Sequence, residues 1–349
     1  MKYKINESLL AFDMKDEGIL LNVTDNDLIS VEEKEDVVLK IIMAFLEPRS
    51  FEQAFKYVLN DMYIDESDFN DCFEFMRLNN MLKECMESES VLSEYQKMKY
   101  SKQISSLNSL KGIEGINAEE IQKKICDSTV CIVGIGGTGS YLALALAMIG
   151  VEHLILIDFD VVELSNTSRQ VLYDELDVGK YKIDVAKKKL QRYNKNLKID
   201  IYNVNIKSID DLSFLNQFCI DLLVLCADTP RGEIQYIVDK VTNRNSIPWF
   251  CYGPLMHSKI IVGPMIIPGR TKSYEEIFPR DLGSFTGRVV EINKNFKAFI
   301  CDPYNGFASQ FAAIEVMKYL SGVREPSIVN RKYYIDTDSW SIEYESYDE

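Results

Sequence analysis

Apolar residues in the first eighty positions recur at helical spacing in three places. Within residues 33–46 they fall at 37, 38, 41, 42, 45 and 46, which predicts a helix. Ser50 stands three residues before Gln53, a capping-box signature, and predicts a second helix from Phe51 to about Leu59. A third runs from Glu66 to Leu78, with Phe69, Cys72, Phe73 and Met76 on one face. Before them, residues 3–12 and 18–23 read as strands, and 81–85 as a strand after the third helix. Three short helices with a closing strand predict a small winged-helix-like α+β domain over residues 1–90.

Residues 91–118 are polar and rich in Ser, Glu and Lys, the composition of a linker or extended arm. From 119 the pattern changes. Short apolar runs at 130–133, 153–157, 199–202, 222–225 and 248–251 alternate with amphipathic stretches at 138–149, 180–194, 207–217 and 231–243. This order predicts parallel βαβ units with helices on both faces, an α/β Rossmann-like domain over 119–349. A strand-like run follows at 258–267, a long mobile loop at 269–298, a helix at 307–320 and an antiparallel pair at 330–345.

Composition narrows the function. Residues 1–100 hold 22 acidic and 11 basic side chains, and the other 249 hold 32 and 28, for a net charge of −15. Such a balance repels phosphate backbones and argues against nucleic acid as a partner. No apolar run approaches the roughly 18 residues that span a bilayer, and the N-terminus lacks a signal-peptide core. A cytoplasmic protein without membrane contact is expected. None of the eight cysteines forms a Cys-x-x-Cys pair and there are two histidines, His153 and His257, so zinc is not expected.

The chemistry concentrates between 134 and 228. Gly134-Ile-Gly136-Gly137-Thr-Gly139 links a strand to a helix, a turn where the backbone approaches a phosphate closely and a helix N-terminus offers N–H donors. Asp158 closes the next strand, where a carboxylate binds ribose hydroxyls. The turn alone also suits nicotinamide or flavin cofactors. The stretch Asp158-Phe-Asp160-Val-Val-Glu163-Leu-Ser-Asn166-Thr-Ser-Arg169-Gln170 favours a triphosphate instead, because Arg169 can clamp phosphate oxygens and Lys182 can add a point charge. Asp228 follows the strand 222–225 and is a hard ligand suited to Mg²⁺.

As an ordered set these residues resemble the ThiF (ubiquitin-activating-enzyme-like) family: Gly134–Gly139, then Asp158 to Gln170, then Gly179-Lys-Tyr-Lys182, then Asp228. The resemblance implies ATP as co-substrate, with Asp158 on the ribose, Asp160 among the nucleotide-binding residues, Asn166, Arg169, Gln170 and Lys182 on the triphosphate, and Mg²⁺ on Asp228. It implies attack of a carboxylate on the α-phosphate, with Arg169, Lys182 and Asp228 as catalytic residues. The N-terminal module, the Tyr100-Ser101-Lys102 arm and Val262-Gly-Pro-(x)3-Pro268-Gly269 further resemble the microcin C-type and pantocin-type peptide-modifying branch. That branch implies a short ribosomal precursor peptide as partner, a homodimer, and a role in peptide antibiotic biosynthesis. Lys102 stands where the broader family often has an Arg that reaches into the partner's nucleotide site, Ser273-Tyr-Glu-Glu276 replaces a zinc-binding Cys pair, and Asp239 stands where an Asn is common. Two other readings stay open: activation of a sulfur-carrier or ubiquitin-like protein through Cys301, and a non-catalytic leader-peptide scaffold.

Overall fold

The structure is a computed structural model describing residues 1–6, 9–13, 18–24, 27–31, 36–79, 81–85, 90–108, 117–255, 258–280 and 300–348. His257 and most of the 269–298 loop lie outside the described residues. The chain divides into two compact units, Met1–Glu119 and Glu120–Glu349. Among the described residues, no helix is long and apolar enough to cross a membrane.

The first unit contains the three expected helices, Val37–Ala44, Phe51–Leu59 and Glu66–Leu78. Ser50 and Gln53 form both halves of their capping box, at 3.3 and 3.0 Å. Ile41, Phe45, Ala54, Val58, Phe69 and Phe73 form the core, closed by edge-on ring contacts from Phe51. The single strand expected over 3–12 is two: Lys2–Ile5 pairs antiparallel with Leu82–Cys85, while Leu10–Asp13 joins a three-stranded sheet with Ile19–Thr24 and Asp27–Val31. Three helices and the β pair make this a small winged-helix-like α+β unit.

The polar stretch read as a linker is helical at Glu94–Lys99 and Ser101–Asn108. Its cause was present in the chain, because Ser93 and Gln96 repeat the capping box seen at Ser50. Leu92, Gln96, Tyr100 and Leu107 are buried there, so few apolar anchors suffice.

The second unit is built on an eight-stranded sheet. Five strands are parallel: Trp249–Pro254, Leu222–Leu225, Thr129–Val133, His153–Ile157 and Lys198–Tyr202, in that spatial order. Lys259–Val262, Arg331–Asp336 and Ser341–Ser346 extend it antiparallel. Alternation along Thr129–Val133 assigns the faces. Val130 and Ile132 join a core with the helices Gly137–Ile149, Lys182–Tyr193 and Asp302–Ser321. Cys131 and Val133 pack with Ile234–Asn245 and with Ile209–Gln217, which is a 3₁₀ helix. The last helix begins five residues before the expected 307. Pro303 falls in its first turn, where a missing N–H costs nothing, and Gly322 ends it in the left-handed conformation at φ 67°.

Candidate active site

A cleft of about 420 Å³ opens where the parallel strands end. It lies at the point where the chain leaves Thr129–Val133 for neighbours on opposite sides, the usual ligand crevice of such sheets. Gly134 turns with φ +90°, and a Cβ there would stand 2.8 Å from the Ala227 backbone nitrogen. A Cβ at Gly139 would come within 1.9 Å of the Gly134 carbonyl oxygen, so the helix can start this close to the strand only with glycine. Gly136 caps the helix without a side-chain hydrogen bond and no acid occupies the first turn, which leaves the positive end open to an anion.

Asp158 is buried in the cleft wall. Its carboxylate accepts hydrogen bonds from the Ile135 amide at 2.7 Å and the Asp160 amide at 2.8 Å. Burial pushes this carboxyl above its ordinary range, against the opposing pull of Lys182 and the two amides. Lys182 opens the helix Lys182–Tyr193, a position where the helix dipole disfavours a cation. It is nonetheless almost fully buried, with Nζ 2.8 Å from Asp160 Oδ2. A cation held against the local rule is a mark of a functional position.

Gly134, Gly136, Gly137, Asp158, Asp160, Arg169, Gln170, Lys182 and Asp228 all line this one cleft. Arg169 is half-buried and forms no ion pair among the described residues. Gln170 is 4% exposed and its Oε1 has no hydrogen-bond partner, an orphaned buried acceptor at the wall. Asp228 is exposed, touched by the Thr229 hydroxyl at 3.2 Å.

Two expected residues of this unit lie off the cleft wall. Asn166 is buried behind the wall, where its Oδ1 accepts the Glu163 amide at 3.0 Å and its carbonyl accepts the Arg169 and Gln170 amides. It thus shapes the turn that presents those two side chains. Gly139 makes close packing rather than wall. Lys102, expected at a partner's nucleotide site, is exposed on the helix Ser101–Asn108 of the first unit. Asp239 is an anchor outside the cleft. Its acceptor-only carboxylate takes the Trp249 indole N–H at 3.3 Å and the Tyr274 and Glu275 amides at 3.0 and 3.2 Å. Ser273 and Glu276 form a capping box on that same short helix, Tyr274–Ile277.

Sequence reasoning missed other wall residues: Val204, Ile206, Gln235, Tyr252 and Asn305. Asn305 was hidden by the late helix start expected at 307. Cys301 is exposed at the N-cap of that helix, next to Ile300 in the wall.

Known proteins match this architecture. Ubiquitin-like modifier-activating enzyme 5 of Bombyx mori is 34% identical over 146 residues, 38% of this chain and 35% of that protein. The Drosophila erecta protein of that name is 30% identical over 228 residues, covering 62% and 56%. The chain therefore spans between about a third and just over half of the length of these relatives. Among solved structures, E. coli MccB with AMPCPP and the peptide MccA superposes with a TM-score of 0.75 at 27% identity, covering 99% of this chain and 97% of MccB. PaaA shares the fold, with a TM-score of 0.75 at 23% identity over 97% and 98%. The ThiF family pattern matches residues 100–348, and with the glycine turn, the Asp158–Gln170 stretch, Lys182 and Asp228 gathered in one cleft, the chain belongs to the ThiF family.

Proposed function

We propose that this protein uses ATP to adenylate a carboxylate of a short ribosomally made peptide, a step in making a microcin C- or pantocin-like antibiotic. The observation that carries the proposal is the convergence in one cleft of an uncapped helix N-terminus, Lys182, Arg169 and an exposed carboxylate, Asp228. The likeness to MccB, solved with AMPCPP and MccA and with ATP, supports both nucleotide and peptide. The carboxylate oxygen attacks the α-phosphorus, the bond to the β-phosphate oxygen breaks, and pyrophosphate leaves. Such chemistry rests on positioning and charge stabilisation. Arg169, Lys182 and the helix N-terminus would share the charge that builds on the leaving group.

The donor set fits Mg²⁺. Among the described residues no group of three or more His, Cys, Asp or Glu side chains could hold a metal, and Mg²⁺ needs only one or two carboxylates when phosphates complete its shell. Asp228 would hold the ion, which supplies charge neutralisation at the phosphates. A homodimer is part of the proposal; the exposed Ile314, Trp340, Ile342 and Tyr344 suit self-association, which sedimentation would detect.

The test is mass analysis of the short peptide encoded beside the gene, incubated with protein, ATP and Mg²⁺. Gain of an adenylyl-derived mass or loss of water supports the reading; an unmodified peptide with no pyrophosphate formed contradicts it. The activating-enzyme relatives and the exposed Cys301 favour a second reading, thioester transfer to a carrier protein. Unchanged turnover in Cys301→Ala removes it.

A further inference from the structure

The first two turns of the helix Asp302–Ser321 are tied to the cleft by a set of polar contacts. Asn305 is 1% exposed, and its Nδ2 donates to the Arg169 carbonyl at 3.1 Å. The same carboxamide lies so close to the glycine turn that a Cβ on Gly137 would meet Nδ2 at 2.7 Å. One turn on, the buried Ser309 hydroxyl lies 2.7 Å from the Asn305 carbonyl and 3.0 Å from the Thr138 carbonyl. The Tyr252 hydroxyl meets the Thr138 carbonyl at 3.0 Å and Ser309 Oγ at 3.1 Å. The Tyr141 hydroxyl closes the set on Asp302.

These contacts share one geometric consequence. Arg169 lies past the end of the 3₁₀ turn Leu164–Asn166; the Asn166 carbonyl accepts its amide, while its own carbonyl points to the last helix. Asn305 fastens the Arg169 carbonyl to the packed helix pair Gly137–Ile149 and Asp302–Ser321 behind the glycine turn. The guanidinium has no ion pair among the described residues to hold it, so its aim depends on its backbone. A misplacement of about 1 Å is enough to weaken a phosphate clamp severely.

We infer that Asn305 is a positioning residue for the nucleotide: its carboxamide sets the distance between the Arg169 backbone and the glycine turn, so that both grip one phosphate chain. The inference rests on the proposed ATP reading. It also assigns Gly137 a purpose beyond phosphate approach, since the small residue makes room for the carboxamide.

The experiment is calorimetric titration of Mg·ATP into the full chain as wild type, Arg169→Ala, Asn305→Ala and the double variant, with melting curves for each. Acting through Arg169, Asn305→Ala weakens ATP binding about fivefold to tenfold, and the double variant binds no more than about twofold worse than Arg169→Ala alone. A purely structural role gives independent, multiplying losses, and that result overturns the inference while leaving the ATP reading intact. Wild type that binds no Mg·ATP overturns both. Should Asn305→Ala fail to fold, Asn305→Ser restores polarity without reaching the Arg169 carbonyl, and the same cycle is read with it.

Discussion

Lys182→Met removes the cation from the cleft while keeping an unbranched side chain of similar length. Lys182 is 6% exposed but its partner Asp160 is 48% exposed, so solvent screens part of the pair. The loss should fall between the roughly 0–1 kcal/mol of exposed pairs and the roughly 3–5 kcal/mol of breaking a buried one. About 2 kcal/mol, or a melting temperature lower by about 4–8 °C for a domain this size, is the expected result near neutral pH. The pH dependence carries more information. Asp158 sits near Lys182 with its pKa raised by burial, so its charged form is disfavoured in the fold and Lys182 offsets that cost. The raised pKa means that folding takes up a proton, and stability falls as pH rises through and above the ordinary carboxylate range. Without Lys182 the pKa rises further and the cost grows. The gap between wild type and variant is therefore largest above that range, and it narrows as acid protonates Asp158. Chemical denaturation across pH reads this directly. A gap that does not change with pH would refute the electrostatic account of Lys182.

Further outcomes follow from the same geometry. Asp228→Ala should lower pyrophosphate release by about 10²–10³ without shifting the melting temperature, since the carboxylate is exposed and accepts only the neighbouring, exposed Thr229 hydroxyl among the described residues. Asp239→Ala orphans an indole N–H and two amides and should cost about 1–3 kcal/mol by chemical denaturation, while ATP affinity stays unchanged because Asp239 lies outside the cleft. If the acidic first unit holds a cationic leader, peptide affinity falls as salt is raised, and titration at two ionic strengths checks it.

Much of the second unit was legible because its signals are local. Leu222–Leu225 is a uniform apolar run, His153–Ile157 is one after its opening histidine, and both match the expected strands end to end. The glycine turn is fixed by backbone sterics that leave a residue-level trace. What failed to show was non-local. The helices at 94–99 and 101–108 bury a glutamine and isolated apolar residues, too sparse for a periodic pattern, so the Ser93–Gln96 capping box was their one local mark. Pro303 reads as a breaker until its place in a first turn is known. Asn305 announces nothing by spacing; its partner is 136 residues away. Asn166 carried a family expectation of phosphate contact, yet here it ties the turn beneath Arg169.

The central claim is that the cleft activates a carboxylate with ATP. ATP–pyrophosphate exchange with purified protein, Mg²⁺ and the neighbouring short peptide tests it most directly. Exchange that requires the peptide and disappears in Asp228→Ala is the predicted result; tight peptide binding with no exchange would contradict the claim and leave the protein a leader-binding scaffold.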